Sequence, residues 1–427
     1  MDDRLINHNI PKSAEGTYYT IPFTVPDGLE RITVSYRYKR LSGLSGRLSD
    51  SVSVVDLGLM DGSGRFLGWS GSSKSSIFVG PHSSTNGYLM TEIKPGVWSI
   101  IVGAYNIPDR GLDVEYEIVY TPKRARFYSG DLHMHSDASD GQHDVSSLAR
   151  KASKTGLDFI AVTNHNNYSE NLALPIVPGV TLLPAVEWTH YLGHMNFYGI
   201  EAPFDNSFIA NSLEEMLTLV NKAKEKGALV SVCHPKCNLC PWLWKDDECF
   251  DLVEVWNGPM RNANKNAIAF WHELLMGGRK LPIVGGSDFH RDRSLVRFAQ
   301  PVTRVYAHSP SKEDLLDAIA NGHSYITASN RGAELELRYG DAMMGDSARR
   351  EDGLDLQLQA ARLRPGFRVK LVTSEGIAGE WRRFPSGRLI AEVPVKPEWR
   401  FAYLVAYRRI FGWNHIRAIT NPIYFKV

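Results

Sequence analysis

The chain lacks an excess of either charge: 48 Lys and Arg stand against 47 Asp and Glu, a formal net charge of +1 over 427 residues. Non-specific binding to nucleic acid needs uncompensated basic residues, so polymeric nucleic acid is not expected as a partner. Long apolar runs are missing as well. No stretch approaches the roughly 20 apolar residues of a membrane-spanning helix, and the opening MDDRLINHNIPKSAEG is acidic and polar where a secretory leader is basic and then apolar. A soluble, cytoplasmic protein with no membrane partner is the expectation. Cysteine is scarce, and Cys233, Cys237, Cys240 and Cys249 all fall in one short segment. Such a cluster raises a zinc or iron–sulfur site. However, Cys233 lies on the strand that delivers His234 and should face the opposite way, and the other three lack a fourth thiolate unless a His completes the set. Reduced thiols in a lid or wall beside His234 are expected, with a local disulfide as the alternative.

What is present is an ordinary globular composition, 43% hydrophobic and 11% aromatic, in a chain long enough for two or three domains. Up to about Thr121, runs such as TYYTIPFTV, RITVSYRY and GVWSIIVGAY alternate like strands, separated by PDGLE, MDGSG and KPG. This predicts a β-sandwich of about seven strands over residues 1–124. From 125 to 330, strands alternate with helices. DVSSLARKASKTG opens at Asp144 as N-cap and ends at Gly156, and SLEEMLTLVNKAKEKG has Ser212 and Glu215 in capping-box spacing. NANKNAIAFWHELLMGG and SKEDLLDAIANG read likewise. That alternation predicts parallel strands closing into an α/β barrel with its site at the C-terminal rim. Strand patterns return over 331–427, a C-terminal β-sandwich-like domain without an acid or His cluster.

The chemistry is concentrated in the middle region. In DLHMHSDASDG, His133 and His135 are two residues apart in extended chain, so both imidazoles face one side, and Asp140 in the following loop can reach round to them. His165, Glu187, His234, Asp288 and His290 each follow a short apolar run, FIAV, VTLLPAV, ALVSV and LPIVGG, and His194 lies in GHMNFYG. Nine His and acidic residues placed at strand ends point to a metal centre. The mixed nitrogen and oxygen set suits divalent Mn, Zn or Fe.

The series HxH, D, H, E, H, HP and DxH resembles the polymerase and histidinol phosphatase (PHP) family of metal-dependent phosphoesterases over about the middle half of the chain. The position of Asp140, together with EVWNG and GGSDFH, is most similar to the branch with small-nucleotide phosphatases and carbaryl-hydrolase-like proteins. One departure is Asn164, in TNH where the family has TDH. The resemblance implies a distorted seven-stranded (β/α) barrel flanked by the two β-sandwich domains. It also implies two or three divalent ions: His133, His135 and Asp288 on one, Glu187 bridging to a second on His194 and His234, and Asp140, His165 and His290 on a third.

The expected reaction is attack of metal-activated water on a small phosphoester or phosphodiester, with Glu187, Asp288 and His290 catalytic. Lys236, Asn257, Arg261 and Arg291, with Arg293 nearby, follow rim ligands and could bind the substrate anion. Hydrolysis of a carbamate or carboxylic ester, in an apolar slot of Trp188, Trp242 and Trp244, is the alternative. A non-catalytic binding protein is the third reading. His190 is a spare rim histidine, and His143, His272 and His323 read as surface or capping residues.

Overall fold

Strand propensity dominates the chain, and 44% of it is strand against 14% helix. The structure, a computed structural model, describes residues 4–39, 52–81, 83–205, 207–293, 295–410 and 413–426. Its α-carbon contacts divide it into two compact units, Met1–Arg124 and Ala125–Val427. No helix among the described residues is long and apolar enough to cross a membrane.

Among the described residues of the first unit, eight strands form two four-stranded sheets. One runs Arg4–Ile10, Leu112–Pro122, Leu29–Tyr38, Ser76–Val79, and the other Tyr18–Val25, Gly96–Tyr105, Val54–Met60, Phe66–Gly71. Period-two alternation drives the arrangement: Ile21, Phe23 and Val25 point inward and share one core with Val34, Trp98, Ile100 and Tyr116. The largest fully buried aromatic side chains of this unit, Trp98 and Tyr116, are thus spent on packing.

In the second unit the site-bearing strands are β1 (Arg126–Asp131), β2 (Phe159–Val162), β3 (Thr181–His190), β4 (Gly193–Tyr198), β5 (Leu229–Cys233), β6 (Leu252–Asn257), β7 (Ile283–Gly286), β8 (Val302–Ala307) and β9 (Ser324–Thr327). Their order is β7-β6-β5-β4-β3-β2-β1-β8-β9. Helices α1 (Val145–Thr155), α2 (Leu213–Glu225), α3 (Asn262–Met276) and α4 (Lys312–Ala320) connect them. The caps fall where the sequence places them: Asp144 accepts from the Ser147 amide at 2.7 Å, Ser212 accepts from the Glu215 amide at 3.2 Å, and Gly156 is left-handed at φ 74°.

Uniform strand–helix alternation does not hold. β4 runs antiparallel to both β3 and β5, whereas β1–β2, β2–β3, β5–β6 and β6–β7 are parallel. The short turn at Tyr191 and Leu192 leaves no room for a crossover helix, so β4 folds back as a hairpin. The start of β4 therefore lies at the rim where its parallel neighbours end. Beyond β1 and β7 the chain meets itself: Met134 and Phe289 pair in parallel, the His135 amide donates to the Phe289 carbonyl at 2.9 Å, and the Asp288 amide donates to the His133 carbonyl at 2.8 Å. A Cβ on Gly286 would sit 2.3 Å from that of His133, so only glycine permits this approach. The strands past residue 331 continue the same sheet, with Trp413–Thr420 paired to β9 and Phe401–Ile410 and Phe367–Thr373 beyond it. A separate sheet containing Glu334–Tyr339 and Asp355–Ala361 shares a core with them through Leu335, Leu356, Leu371 and Leu404.

Candidate metal centre

Because the segment after β1 is extended, the rings of His133 and His135 turn to the same interior, and both residues are fully buried. Their nitrogens have distinct tasks. His133 Nδ1 donates to Glu254 Oε1 at 2.9 Å, a tautomer set by the acceptor-only carboxylate, which leaves Nε2 as a lone pair facing Glu187 Oε2 at 3.3 Å and Asp288 Oδ1 at 3.5 Å. His135 Nε2 lies 3.1 Å from Asp288 Oδ1 and 3.4 Å from Glu187 Oε2.

Glu187, near the end of β3, is fully buried and shared between two histidine sets. Its Oε1 is 2.8 Å from His194 Nδ1 and 3.3 Å from His234 Nε2. Its Oε2 is 3.0 Å from His165 Nδ1 and faces His133 and His135. His194 reaches this carboxylate because β4 is reversed. His234 reaches it, and Asp288 reaches His133 and His135, from backbone in the left-handed region, at φ 31° and 53°. Non-glycine residues there cost of order 1–3 kcal/mol, a strain that concentrates at functional sites.

A third group lies nearer solvent. Asp140 Oδ1 is 3.3 Å from His290 Nε2, 3.7 Å from His165 Nε2 and 3.9 Å from His135 Nδ1. His290 Nδ1 donates to the Asp288 carbonyl at 2.9 Å, so its Nε2 is the free atom. His165 Nδ1 lies 2.6 Å from Thr189 Oγ1, whose hydroxyl is spent on the Glu187 carbonyl. Asn164 is not engaged with His165. Its Oδ1 accepts from the Ser136 amide at 2.8 Å and the Ser139 hydroxyl at 2.9 Å, and its Nδ2 donates to Glu170 at 2.8 Å, which fixes the loop leading to Asp140.

Burial alone would raise the Glu187 and Asp288 carboxyls, but the histidines around them hold both well below the usual range. Burial alone would lower His133 and His234, but the carboxylates overcome it, carrying His133 well up and His234 to about 9. Without a cation, protons are thus held between these groups. His133 Nε2, His135 Nδ1 and Glu187 Oε2 are all buried without a hydrogen-bond partner. Buried nitrogen and carboxylate atoms left without a hydrogen-bond partner fit a divalent cation, which would displace the protons held there. Ligand atoms of His133, His135 and Glu187, of His135, Asp140, His165 and His290, and of His133, His234 and Asp288 lie within 4.8 Å of one another in each group.

The structure thus brings all nine candidate ligands together. The anion-binding candidates make other contacts. Lys236 Nζ stands 4.2 Å from the centroid of Phe270, Arg261 is the exposed N-cap of α3, and Arg291 is exposed. Asn257 donates to Glu254 Oε2 at 3.2 Å and so steadies the carboxylate that orients His133. Glu254 is the residue that sequence reasoning missed. It sits in an apolar strand, LVEVWN, and a buried acid inside such a run is the signal that could have revealed it.

Two expectations are corrected. Cys233 faces the same interior as His234: its sulfur groups with His133 and Glu254, because the positive φ of His234 breaks the strand alternation immediately after it. Trp188, Trp242 and Trp244 are buried in the core at 0%, 8% and 6% exposure, so they do not line an open apolar slot.

The family model of the PHP domain matches residues 131–236. No curated protein matches the chain. Among solved structures, a two-domain protein from Bacteroides vulgatus containing a predicted PHP-like metal-dependent phosphoesterase is 17% identical, at a TM-score of 0.42 over 69% of this chain and 95% of that one. A proposed metal-dependent phosphoesterase from Bifidobacterium adolescentis is 14% identical, at 0.29 over 44% and 94%. An amidohydrolase from Chromobacterium violaceum is 15% identical, at 0.27 over 39% and 89%. Residues 131–236 thus resemble a PHP domain, and the buried His and carboxylate centre to which they contribute supports a metal-dependent hydrolase.

Proposed function

We propose that the protein hydrolyses a small phosphoester or phosphodiester at two or three divalent Mn, Zn or Fe ions. The observation that carries this reading is Glu187, whose two oxygens face separate histidine sets in the way a bridging carboxylate serves adjacent ions. On this reading His133, His135 and Asp288 hold one ion, His194 and His234 a second, and Asp140, His165 and His290 a third. The same reading takes β1 to β7 as a distorted seven-stranded barrel, with 1–124 as a β-sandwich domain and 331–427 as a β-sandwich-like region whose strands extend the sheet of β1 to β9. The carbaryl-hydrolase-like branch is supported by Asp140, which meets His165 and His290.

Ions bound here would act as Lewis acids and raise the acidity of water. The protein supplies the rest. Asp288, whose Oδ1 lies 3.1 Å from His135 Nε2 inside the centre, accepts the proton that the attacking water gives up. Where only two ions are held, His290, with Nδ1–H committed to the Asp288 carbonyl, offers Nε2 as a second acceptor. Glu254 and Thr189 keep the His133 and His165 rings in place. Lys236, Asn257, Arg261 and Arg291 neutralise and orient the substrate phosphate.

The test is a substrate panel on metal-loaded protein: phosphomonoesters, phosphodiesters, carbamates and carboxylic esters. Turnover of phosphoesters above the other classes supports the reading. Turnover of carbamates or carboxylic esters alone replaces it with the alternative, and turnover of none at full ion content favours a binding protein.

A further inference from the structure

The loop after His234, PKCNLCPW, holds a pair of thiols that hydrolysis does not use. Cys240 Sγ is 3.3 Å from Cys237 Sγ and 3.6 Å from His234 Nδ1. The opposite edge of the same imidazole, Nε2, faces Glu187 Oε1 at 3.3 Å. Cys240 therefore stands to His234 as Glu254 stands to His133, behind the ring and against the nitrogen turned away from Glu187. Both thiols are partly exposed, whereas Cys233 and Cys249 are buried. The loop is pinned at its ends: the Cys237 amide donates to the His234 carbonyl at 2.8 Å, the Trp242 amide to Pro235 at 3.0 Å and the Leu243 amide to Leu192 at 2.7 Å. Between these anchors the tip is open, with Leu239 94% exposed.

We propose that Cys237 and Cys240 form a redox-active dithiol, a modification site for low-molecular-weight disulfides, whose closure withdraws Cys240 from His234 and loosens the ion held there. Two thiols three residues apart on a turn, already in sulfur–sulfur contact, need little backbone movement to bond. The exposed tip admits the oxidant. Cys237 attacks one sulfur of RSSR, forming a mixed disulfide and expelling RS⁻. Cys240 then attacks the Cys237 sulfur and expels the second RS⁻. One S–S bond forms and one breaks, the two thiol protons go to the two RS⁻, and the two electrons reduce RSSR to 2 RSH. Once bonded to Cys237, Cys240 no longer offers its thiol to His234 Nδ1. Removing a partner behind a metal-bound histidine typically weakens the ion by about 10- to 100-fold. The effect on the ion rests on the metal-hydrolase reading above, whereas the disulfide does not.

The test treats reduced, metal-loaded full-length protein with oxidised glutathione and reads two quantities. Peptide mass analysis should find a Cys237–Cys240 disulfide, with Cys233 and Cys249 still reduced. Competition with a chelator should show one ion held about 10- to 100-fold more weakly, restored by a thiol reductant. Cys237→Ser should keep that ion as tightly as the reduced parent, in the presence or absence of oxidant. Failure to form the disulfide overturns the proposal, as does a disulfide that leaves every ion affinity unchanged, or a Cys237→Ser variant that loses its ion to oxidant as the parent does. If the reduced protein binds no ion, the metal reading fails separately, and the mass result alone decides the dithiol.

Discussion

Glu254 accepts the Nδ1 hydrogen of His133 across 2.9 Å, although the two residues are 121 positions apart in the chain. The same carboxylate receives the His234 amide at 2.9 Å, so one side chain orients two candidate ligands on different strands. Glu254→Ala should leave His133 free to rotate and weaken ion binding by about 10- to 100-fold. Isothermal competition titration checks the affinity, and circular dichroism checks that the fold persists. Unchanged affinity in folded protein would remove Glu254 from the centre.

Glu187 joins the histidine sets, so Glu187→Gln, of nearly the same size, should lower the number of ions bound by at least one. Phosphoester turnover should fall by at least about 100-fold, the scale of losing one charged group at the reacting centre. Elemental analysis and steady-state kinetics measure the two effects. Full ion content would show that the carboxylate does not bridge.

The proton held by His234 gives a pH dependence. Burial lowers its pKa, but Glu187 beside it dominates and carries it from the ordinary 6.5 to about 9 in the metal-free protein. A group raised on folding contributes stability that is whole below 6.5 and lost as pH rises through about 9. Metal-free protein should therefore lose stability across that window. An ion must displace the same proton, so its apparent affinity should rise by up to about tenfold per pH unit over the window. Thermal melts and metal titrations against pH test both signs, and affinity falling with pH would contradict the assignment.

If phosphate is the group recognised, Arg291→Ala and Lys236→Ala should each reduce phosphoester kcat/KM by about 10- to 100-fold, the scale of one charge-assisted hydrogen bond, with ion content unchanged. Lys236 must leave the face of Phe270 to do this. Full activity in both variants would exclude them as the anion clamp.

Away from the chemistry, Thr303 on β8 uses one buried hydroxyl to donate to the Gly285 carbonyl at 2.8 Å and accept its amide at 3.0 Å. Thr303→Val keeps the shape and leaves both backbone groups unpaired, at a cost of about 1–3 kcal/mol each. The urea midpoint should fall with ion stoichiometry unchanged. A midpoint within error of the parent would show that other partners replace the hydroxyl.

The sequence by itself determined the local pieces. Alternation in TYYTIPFTV and the capping signals at Asp144 and Ser212 are contained within a few residues, and the elements formed there. The nine candidate ligands were legible because each lies in or beside a short strand run, where extended geometry settles which side a residue faces. What strand order and backbone reversal decide was not legible. The hairpin at Tyr191 turns β4 round and brings His194 to Glu187, and the positive φ of His234 turns its own ring to the side that Cys233 already faces, against the alternation. Glu254 was hidden because an acid in an apolar strand has no local partner. Its role exists only once β6 lies beside β5 and β7, and the segment after β7 meets His133. Periodicity fixes the face of an element, whereas contacts between residues more than a hundred positions apart depend on which elements become neighbours, and tertiary packing alone settles that.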